Sequence, residues 1–229
     1  MNFMLTFAEK AIAYFTKLNP QIKLPNEIKI LNPFEKNEVR YIVTEFYEKF
    51  FDDEQQRIYI LGINPGRFGG GLTGISFTDP IALKKHCGID NQLGNKEELS
   101  SKFIYEAIKH FGGVKKFFSK FFLSAIFPLA LIKDGNNFNY YDDKKLFLSL
   151  KPHLLNSLKA QVKFGADRRI VICLGRKNAD YLRIMNDELG LFKRIEVLDH
   201  PRFIMQYKKK KLDDYLEQYL NTFNSALET

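Results

Sequence analysis

The chain has 229 residues, of which 45% are hydrophobic, and both figures are typical of one globular domain with a large core. Its 35 Lys and Arg against 27 Asp and Glu give a formal net charge of +8, which favours an anionic partner such as nucleic acid, although a solvated basic surface would have the same composition. Two cysteines exclude a disulfide-rich scaffold and an iron–sulfur cluster held by cysteines alone. No apolar run approaches the roughly 20 residues that span a bilayer, so no membrane-spanning helix is expected.

Residues 1–50 are predicted to be helical. Apolar side chains recur at helical spacing at Val39, Ile42, Val43, Phe46 and Phe50. Asn32 is expected to cap the helix that carries them, with Pro33 in its first turn and Glu35 reaching back to the cap.

The N-terminus and the cysteines predict a cytoplasmic protein. Glu9 and Lys10 lie within the first apolar pattern and no small-residue cleavage site follows, so this segment is unlike a signal peptide. Cys173 lies inside the apolar run IVICLG, which indicates a buried thiol rather than half of a disulfide. We therefore expect a reducing compartment.

Four short runs are predicted to be strands, at residues 58–61, 121–127, 170–174 and 195–198. The third is continuously apolar, as in strands that are buried on both faces. Amphipathic helical stripes that start at Phe103, Phe147 and Leu212 separate or follow these runs. This alternation predicts an α/β fold with a parallel sheet covered by helices on both faces. The polar segment 134–143 is predicted to be a surface loop.

The carboxyl ends of the predicted strands are where an open parallel sheet binds ligands. The segments that follow the strands are 64–66, 128–129, 175–176 and 200–202. The first opens a loop that contains Gly66 and the glycines of 69–71, so the backbone can approach a ligand closely there. Taken alone, however, Asn-Pro-Gly is more often a simple tight turn, and a lone His200 is more often structural.

Several well-known site chemistries are missing from the chain. The glycine loop has no G-x-G-x-x-G pattern and no Lys-Ser or Lys-Thr pair after Gly71, which argues against a nucleotide phosphate site. No H-E-x-x-H, C-x-x-C or G-x-S-x-G spacing occurs, so neither a metal site nor a serine nucleophile is predicted. The lysines of 208–211 are interpreted either as a solvated run or as a phosphate contact.

The glycine loop belongs to a longer pattern. The segment from Gly62 to Phe77, GINPGRFGGGLTGISF, keeps the spacing of a family motif that reads G-M-N-P-G-P-F-G, continues through T-G-V and ends in Phe. FFLSAIFPL at 121–129, ICLGRKNAD at 172–180 and HPRF at 200–203 follow in the order of the other motifs of that family. With these motifs, the chain over roughly 57–207 resembles the uracil-DNA glycosylase superfamily, and most closely its single-strand-selective monofunctional branch.

Two departures from the family pattern affect base recognition. The family has His-Asn ahead of Cys-Pro-Leu, and that Asn recognises the uracil edge, whereas this chain has Ser124 and Ala125. Ser124, a backbone amide or an asparagine of 136–139 would then have to replace the missing amide. The family's H-P-S-P loop also becomes His200-Pro201-Arg202-Phe203, so different residues would fill the vacated base stack. We interpret the chain as a member of a divergent subfamily of the single-strand-selective monofunctional branch.

The resemblance implies roles for three side chains. Asn64 would position the attacking water, His200 would donate a hydrogen bond to the departing base, and Phe77 would stack on the flipped base. No lysine matches a Schiff-base position, so a monofunctional enzyme without metal or cofactor is expected. Its substrates would be uracil and 5-oxidised uracils such as 5-hydroxymethyluracil, in bacterial base-excision repair.

The remaining predicted contacts fall into two groups. The base would be lined by Gly62, Ile63, Pro65, Gly66, Phe68 and Ser124. DNA would be bound by Arg67, Gly175, Arg176, Lys177, Pro201, Arg202, Phe203, Lys208 and Lys209.

The domain organisation follows from the extent of the resemblance. We expect a monomer with one domain over 1–229, in which 1–56 form a helical extension packed on the core and 208–229 hold the basic run and the last helix. Two alternative functions remain open. One is a nucleic-acid-binding module of the same fold that has lost catalysis together with the base-recognition amide, and the other is a nucleotide-binding α/β protein unrelated to repair.

Overall fold

The computed structural model describes residues 4–25 and 27–228. The helices are α1 (Phe7–Phe15), α2 (Asn37–Phe51), α3 (Gly70–Thr73), α4 (Pro80–Cys87), α5 (Leu99–Phe111), α6 (Val114–Phe118), α7 (Lys144–Val162), α8 (Arg176–Leu189), α9 (Pro201–Tyr207) and α10 (Leu212–Leu227). The strands are β1 (Ile28–Leu31), β2 (Arg57–Gly62), β3 (Phe121–Ala125), β4 (Ala130–Lys133), β5 (Asn136–Phe138), β6 (Ala166–Leu174) and β7 (Arg194–Leu198). Short 3₁₀ turns cover Pro33–Glu35 and Lys209–Lys211.

The central sheet has four parallel strands in the order β3-β2-β6-β7. Every residue of β2 and β3 is buried, as expected of strands that are covered by helices on both faces. The register aligns Gly62 at the end of β2 with Ala125 at the end of β3, so the loops that follow these strands start side by side. The predicted α/β fold with a four-stranded parallel sheet flanked by helices is confirmed.

A second, antiparallel sheet in the order β1-β4-β5 corrects two predictions. Residues 28–31, which we expected to be helical, form β1, and residues 136–138 of the predicted loop form β5. Both strands are very short, and β1 pairs with β4, which lies about a hundred residues later in the chain. Local periodicity does not report such distant pairing.

The predicted Asn32 cap forms, but it starts a shorter element. The Asn32 side chain accepts a hydrogen bond from the Phe34 amide at 3.1 Å and closes the 3₁₀ turn that contains Pro33 and Glu35. The long helix α2 begins only at Asn37.

The N-terminal helices are attached to the sheet by aromatic packing. In α1, the Phe7 ring lies 5.3 Å from Phe51 of α2 and 4.9 Å from Phe122 of β3. The buried Arg57 of β2 donates to Asp53 at 2.8 Å and lies 5.1 Å from the Phe7 ring. Because the guanidinium is both hydrogen-bonded and stacked, its burial is compensated.

Both cysteines are buried free thiols, as predicted for Cys173. Burial raises the pKa of Cys87 to about 11 and that of Cys173 further, so neither thiol ionises at neutral pH. Over 4–25 and 27–228, no helix is long and apolar enough to cross a membrane.

Candidate active site

A cavity of about 300 Å³ opens beyond the carboxyl ends of β2, β3 and β7. Its lining includes Gly62, Ile63, Asn64, Pro65, Gly66, Ser76, Phe77, Glu98, Ser100, Ala125, Asn137, Asn139, His200, Arg202, Phe203, Gln206 and Tyr207. The segments after three of the predicted strands therefore meet at one place, as the parallel sheet requires.

Asn64 has an amide whose orientation is set by two backbone hydrogen bonds. Its Nδ2 donates to the Phe138 carbonyl at 3.0 Å, and its Oδ1 accepts from the Tyr140 amide at 3.2 Å. A flipped amide would bring donor to donor and acceptor to acceptor, so Oδ1 is assigned by its partners. The end of β5, which the sequence did not predict, and the turn that follows it supply these two anchors.

His200 is the N-cap of α9, and its ring is neutral at physiological pH. The pKa of His200 is lowered to about 4. Burial is the larger cause of this shift, and the nearby Arg202 cation is the second. Nδ1 accepts a hydrogen bond from the Arg202 amide at 3.2 Å. The neutral ring therefore carries its hydrogen on Nε2, which is left as a hydrogen-bond donor.

Phe77 forms an aromatic wall held by an unusual backbone. Its φ is +57°, a left-handed conformation that is rare for residues other than glycine. The ring lies directly on Gly62, where a Cβ would fall 2.5 Å from Phe77 Cζ, and its centroid is 5.9 Å from the His200 ring. Thr73 helps to hold this turn by donating to the Thr78 carbonyl at 2.7 Å.

The glycine loop is packed against the protein itself. The Gly66 carbonyl accepts from the amides of Gly69 at 3.2 Å and Gly71 at 2.9 Å. A Cβ on Gly71 would lie 2.6 Å from the Gly66 carbonyl oxygen. The glycines after Gly66 thus serve the internal fit of the loop, while Gly66 itself faces the cavity.

Glu98 is a lining residue that sequence reasoning missed. Its amide donates to the Asp79 carboxylate at 2.9 Å, but within 4–25 and 27–228 its own carboxyl accepts no hydrogen bond and forms no ion pair. Burial, reinforced by Asp79 and opposed by Arg202, raises the pKa of Glu98 to about 7. Only folding brings this residue to the cavity, and no motif marked it.

Ser124 lies outside the cavity, which makes its predicted role in base binding wrong. Its hydroxyl is buried and donates to Gln161. Successive strand residues point to opposite faces, so Ala125 and not Ser124 lines the cavity. Two asparagines of the segment 136–139, Asn137 and Asn139, do line the cavity. Asn137 Oδ1 accepts from the Arg67 amide at 3.0 Å, which leaves its NH₂ group for other partners.

Phe68 and Arg67 also lie outside the lining, so Phe68 is not placed to contact a base in the cavity. The Arg67 guanidinium and Lys96 Nζ each lie 4.5 Å from the centre of the Phe68 ring. This arrangement places the Phe68 ring between two cations of the protein itself.

The predicted DNA contacts of α8 are engaged with neighbouring groups. Arg176 pairs with Asp199, with 2.9 Å from Nε to Oδ1, and Lys177 Nζ lies 4.7 Å from the Tyr141 ring. Gly175, with φ of +101°, lets the chain pass close to His200. A Cβ added to Gly175 would lie 3.5 Å from the His200 Cβ. These residues support the wall of the cavity and do not line it, apart from His200.

Helix α9 forms the outer rim. Pro201 is buried in its first turn, whereas Phe203 is 40% and Tyr207 72% exposed. Lys208 and Lys209 follow and are exposed, and Lys208 Nζ lies 5.8 Å from the Phe203 ring. Tyr207, together with Gln206, was not anticipated from the sequence. Phe203 and Tyr207 are four residues apart, so a helix over 201–207 places them on one face. This spacing is the sequence signal that would have identified Tyr207.

Comparison with known proteins agrees with this geometry. A model of the uracil DNA glycosylase superfamily matches residues 48–224. The crystal structure of wild-type SMUG2 from Pedobacter heparinus superposes with a TM-score of 0.94 at 40% sequence identity, covering 99% of this chain and 100% of that chain. A search of curated proteins returned no match. The resemblance drawn from the motifs is confirmed: the chain belongs to the uracil DNA glycosylase superfamily as a SMUG-like member, a hydrolase of N-glycosyl bonds.

Proposed function

We propose that this uracil-DNA glycosylase is monofunctional and releases uracil, together with 5-oxidised uracils such as 5-hydroxymethyluracil, in base-excision repair. One observation carries the proposal: an anchored amide, Asn64, and a neutral imidazole, His200, line one cavity beside the ring of Phe77. Membership of the uracil DNA glycosylase superfamily supports the N-glycosidic bond as the bond that is cleaved.

The first requirement of the reaction is a positioned water. Water attacks C1′ of the deoxyribose as the N-glycosidic bond breaks and the bonding electron pair leaves with the base. Asn64 Oδ1 accepts one hydrogen bond from the Tyr140 amide and has a second lone pair, which can accept a hydrogen bond from that water. An amide is a weak base, so Asn64 acts by orientation, and the sugar must already be strongly electrophilic.

The second requirement is stabilisation of the departing base. The base leaves as an anion, and the proton lost by water ends on the released base. His200 donates from Nε2–H to the oxygen on which this charge develops. Because the ring is neutral, this donor is present over the whole physiological pH range.

The third requirement is a place for the base outside the helix. Flipping costs a few kcal/mol in lost stacking, and the Phe77 ring offsets part of that cost by stacking on the base. No lysine is among the residues that line the cavity within the described chain, which supports hydrolysis without a covalent imine.

The outer rim would hold the DNA. Phe203 and Tyr207 are exposed beside the cavity, Arg202 adds a cation, and the lysines of 208–211 extend the basic surface. One of these side chains would fill the space that the flipped base leaves in the stack.

The test is base release from labelled oligonucleotides that contain uracil or 5-hydroxymethyluracil, single-stranded and paired with G or A, followed by alkali. We expect alkali-labile sites and no strand break without alkali. A break without alkali would contradict the monofunctional mechanism. Salt-dependent binding without release of any base would instead support a non-catalytic binding module, which the alanine at position 125 makes worth testing.

A further inference from the structure

The Glu98 carboxyl is pressed against the glycine loop at the wall of the cavity. A Cβ on Gly66 would lie 1.7 Å from Glu98 Oε1, and a Cβ on Gly69 would lie 1.9 Å from Oε2. Both glycines therefore leave room for this carboxyl. Asn137 Nδ2 approaches the same point, 3.3 Å from the Cβ position on Gly66.

Two features of the described residues bear on Glu98: its carboxyl has no hydrogen-bond or ion-pair partner, and the end of β3 carries an alanine where an amide side chain is missing. Within 4–25 and 27–228, no hydrogen bond or ion pair reaches the Glu98 oxygens, and Glu98 is the one acid among the lining residues. At the end of β3, Ala125 lines the cavity without a polar side chain that could contact a base. The Glu98 side chain is half-buried and its oxygens are not sealed from the cavity, so a ligand that enters the cavity can supply the missing hydrogen-bond partner.

The surroundings of Glu98 favour its neutral form. Asp79 lies behind it at the start of α4, Arg202 faces it from α9, and His200 across the cavity is uncharged. Burial and Asp79 outweigh Arg202, so the pKa of Glu98 is raised to about 7. A neutral carboxyl has one O–H donor and one carbonyl acceptor, the same pair that an asparagine amide presents.

We propose that Glu98 is the specificity-determining residue that contacts the edge of the flipped base, donating to a base carbonyl and accepting from the adjacent ring N–H in place of the amide missing at Ala125. This inference rests on the proposed glycosylase function. The substrate class is a base with neighbouring N–H and C=O groups, as in uracil.

The chemistry of a flipped deoxynucleotide directs this contact to the base. Inside DNA the deoxyribose has no free hydroxyl, and the phosphates carry acceptors and negative charge, so the base alone offers a hydrogen-bond donor to the carboxyl. An ionised Glu98 would also oppose the negative charge that develops on the leaving base. The neutral form is therefore the active one.

The experiment measures single-turnover release of uracil by the full chain from about pH 6 to about pH 8.5, over which a group with a pKa near 7 titrates. The variants are Glu98→Gln and Glu98→Ala. Glu97→Gln is the matched control, because Glu97 is the exposed neighbour, paired with Lys102 and outside the lining. Thermal unfolding checks that every variant folds.

The wild type and Glu97→Gln should lose rate above neutral pH, approaching tenfold per pH unit as Glu98 ionises. Glu98→Gln keeps both a donor and an acceptor, so its rate should stay within about threefold of wild type near pH 6 and lose the alkaline decline. Glu98→Ala should be at least about tenfold slower at low pH.

Three results would overturn the inference while leaving the glycosylase function intact. A wild-type rate that rises with pH, with Glu98→Gln as slow as Glu98→Ala, would make Glu98 a general base. Identical pH profiles for the wild type and Glu98→Gln would show that the carboxyl does not touch the base. A wild-type rate within about twofold for Glu98→Ala would show the same. No release of any base by the wild type would instead overturn the proposed function itself.

Discussion

The inner wall and the outer rim of the cavity are built from different kinds of contact. On the wall, Asn64 is tied to two backbone groups and His200 to one, and Phe77 is fixed by a strained turn. On the rim, Phe203 and Tyr207 are exposed on a single helix of seven residues. The wall is therefore organised without DNA, whereas we propose that the exposed rim gains its main partners from DNA. Changes in the wall should therefore affect the chemical step, and changes in the rim should affect binding.

The largest expected effect is on the wall. Asn64→Ala and His200→Ala should each lower the single-turnover rate of uracil release by about 100-fold to 1,000-fold, because in the proposed mechanism each removes a group that contacts the water or the departing base. Affinity for DNA with an abasic site should change by less than about threefold. His110→Ala, an exposed histidine on α5, is the control. Equal losses of rate and affinity would mean that these residues bind rather than catalyse.

A smaller effect is expected on the rim. Phe203→Ala should weaken binding to uracil-containing duplex by about tenfold, since a stacking contact is worth about 1–2 kcal/mol. The rate at saturating enzyme should stay within about threefold of wild type. Fluorescence anisotropy and single-turnover kinetics measure the two quantities. Tyr41→Ala, which removes an even more exposed aromatic side chain on α2, should alter neither. A large loss of saturated rate in Phe203→Ala would place this ring in the wall.

Arg202 connects the two regions, because its backbone amide holds His200 and its charge acts on both titratable groups of the wall. Its cation lowers the pKa of His200 and of Glu98, so Arg202→Gln should raise both pKa values. His200 should remain below its ordinary pKa, because burial is the larger cause. Titration of the His200 ring by NMR measures the shift, with Arg176→Gln as the control. An unchanged His200 pKa would contradict the electrostatic link.

The smallest effect is expected from the basic run beyond the rim. Lys209→Gln combined with Lys210→Gln should reduce the slope of log Kd against log salt by about 1–2, because each phosphate contact releases about one counterion. The saturated rate should not change. Lys115→Gln with Lys116→Gln removes an equally exposed pair on α6, which precedes β3 at the other edge of the sheet. Equal slopes for both double variants would assign the effect to net charge alone.

The strands of the central sheet and the wall residues Asn64, Phe77 and His200 could be predicted because local patterns report them. Apolar runs identify β2 and β6, and parallel strands bring their carboxyl ends to one edge. Ser124 was misassigned because neighbouring strand residues face opposite sides, and a run of buried residues such as β3 does not say which side faces the cavity. Phe68 was misassigned because loop spacing does not give side-chain direction.

The sequence by itself determined the fold class, the family and the three wall residues that its motifs carry. Only the tertiary structure decided how those residues are held and what stands beside them. The amide of Asn64 is oriented by β5, and the carboxyl of Glu98 reaches the cavity from the start of α5, so both depend on contacts between segments far apart in the chain. Periodicity and motif spacing describe neighbours along the chain, whereas burial and hydrogen-bond partners depend on distances that exist only after folding.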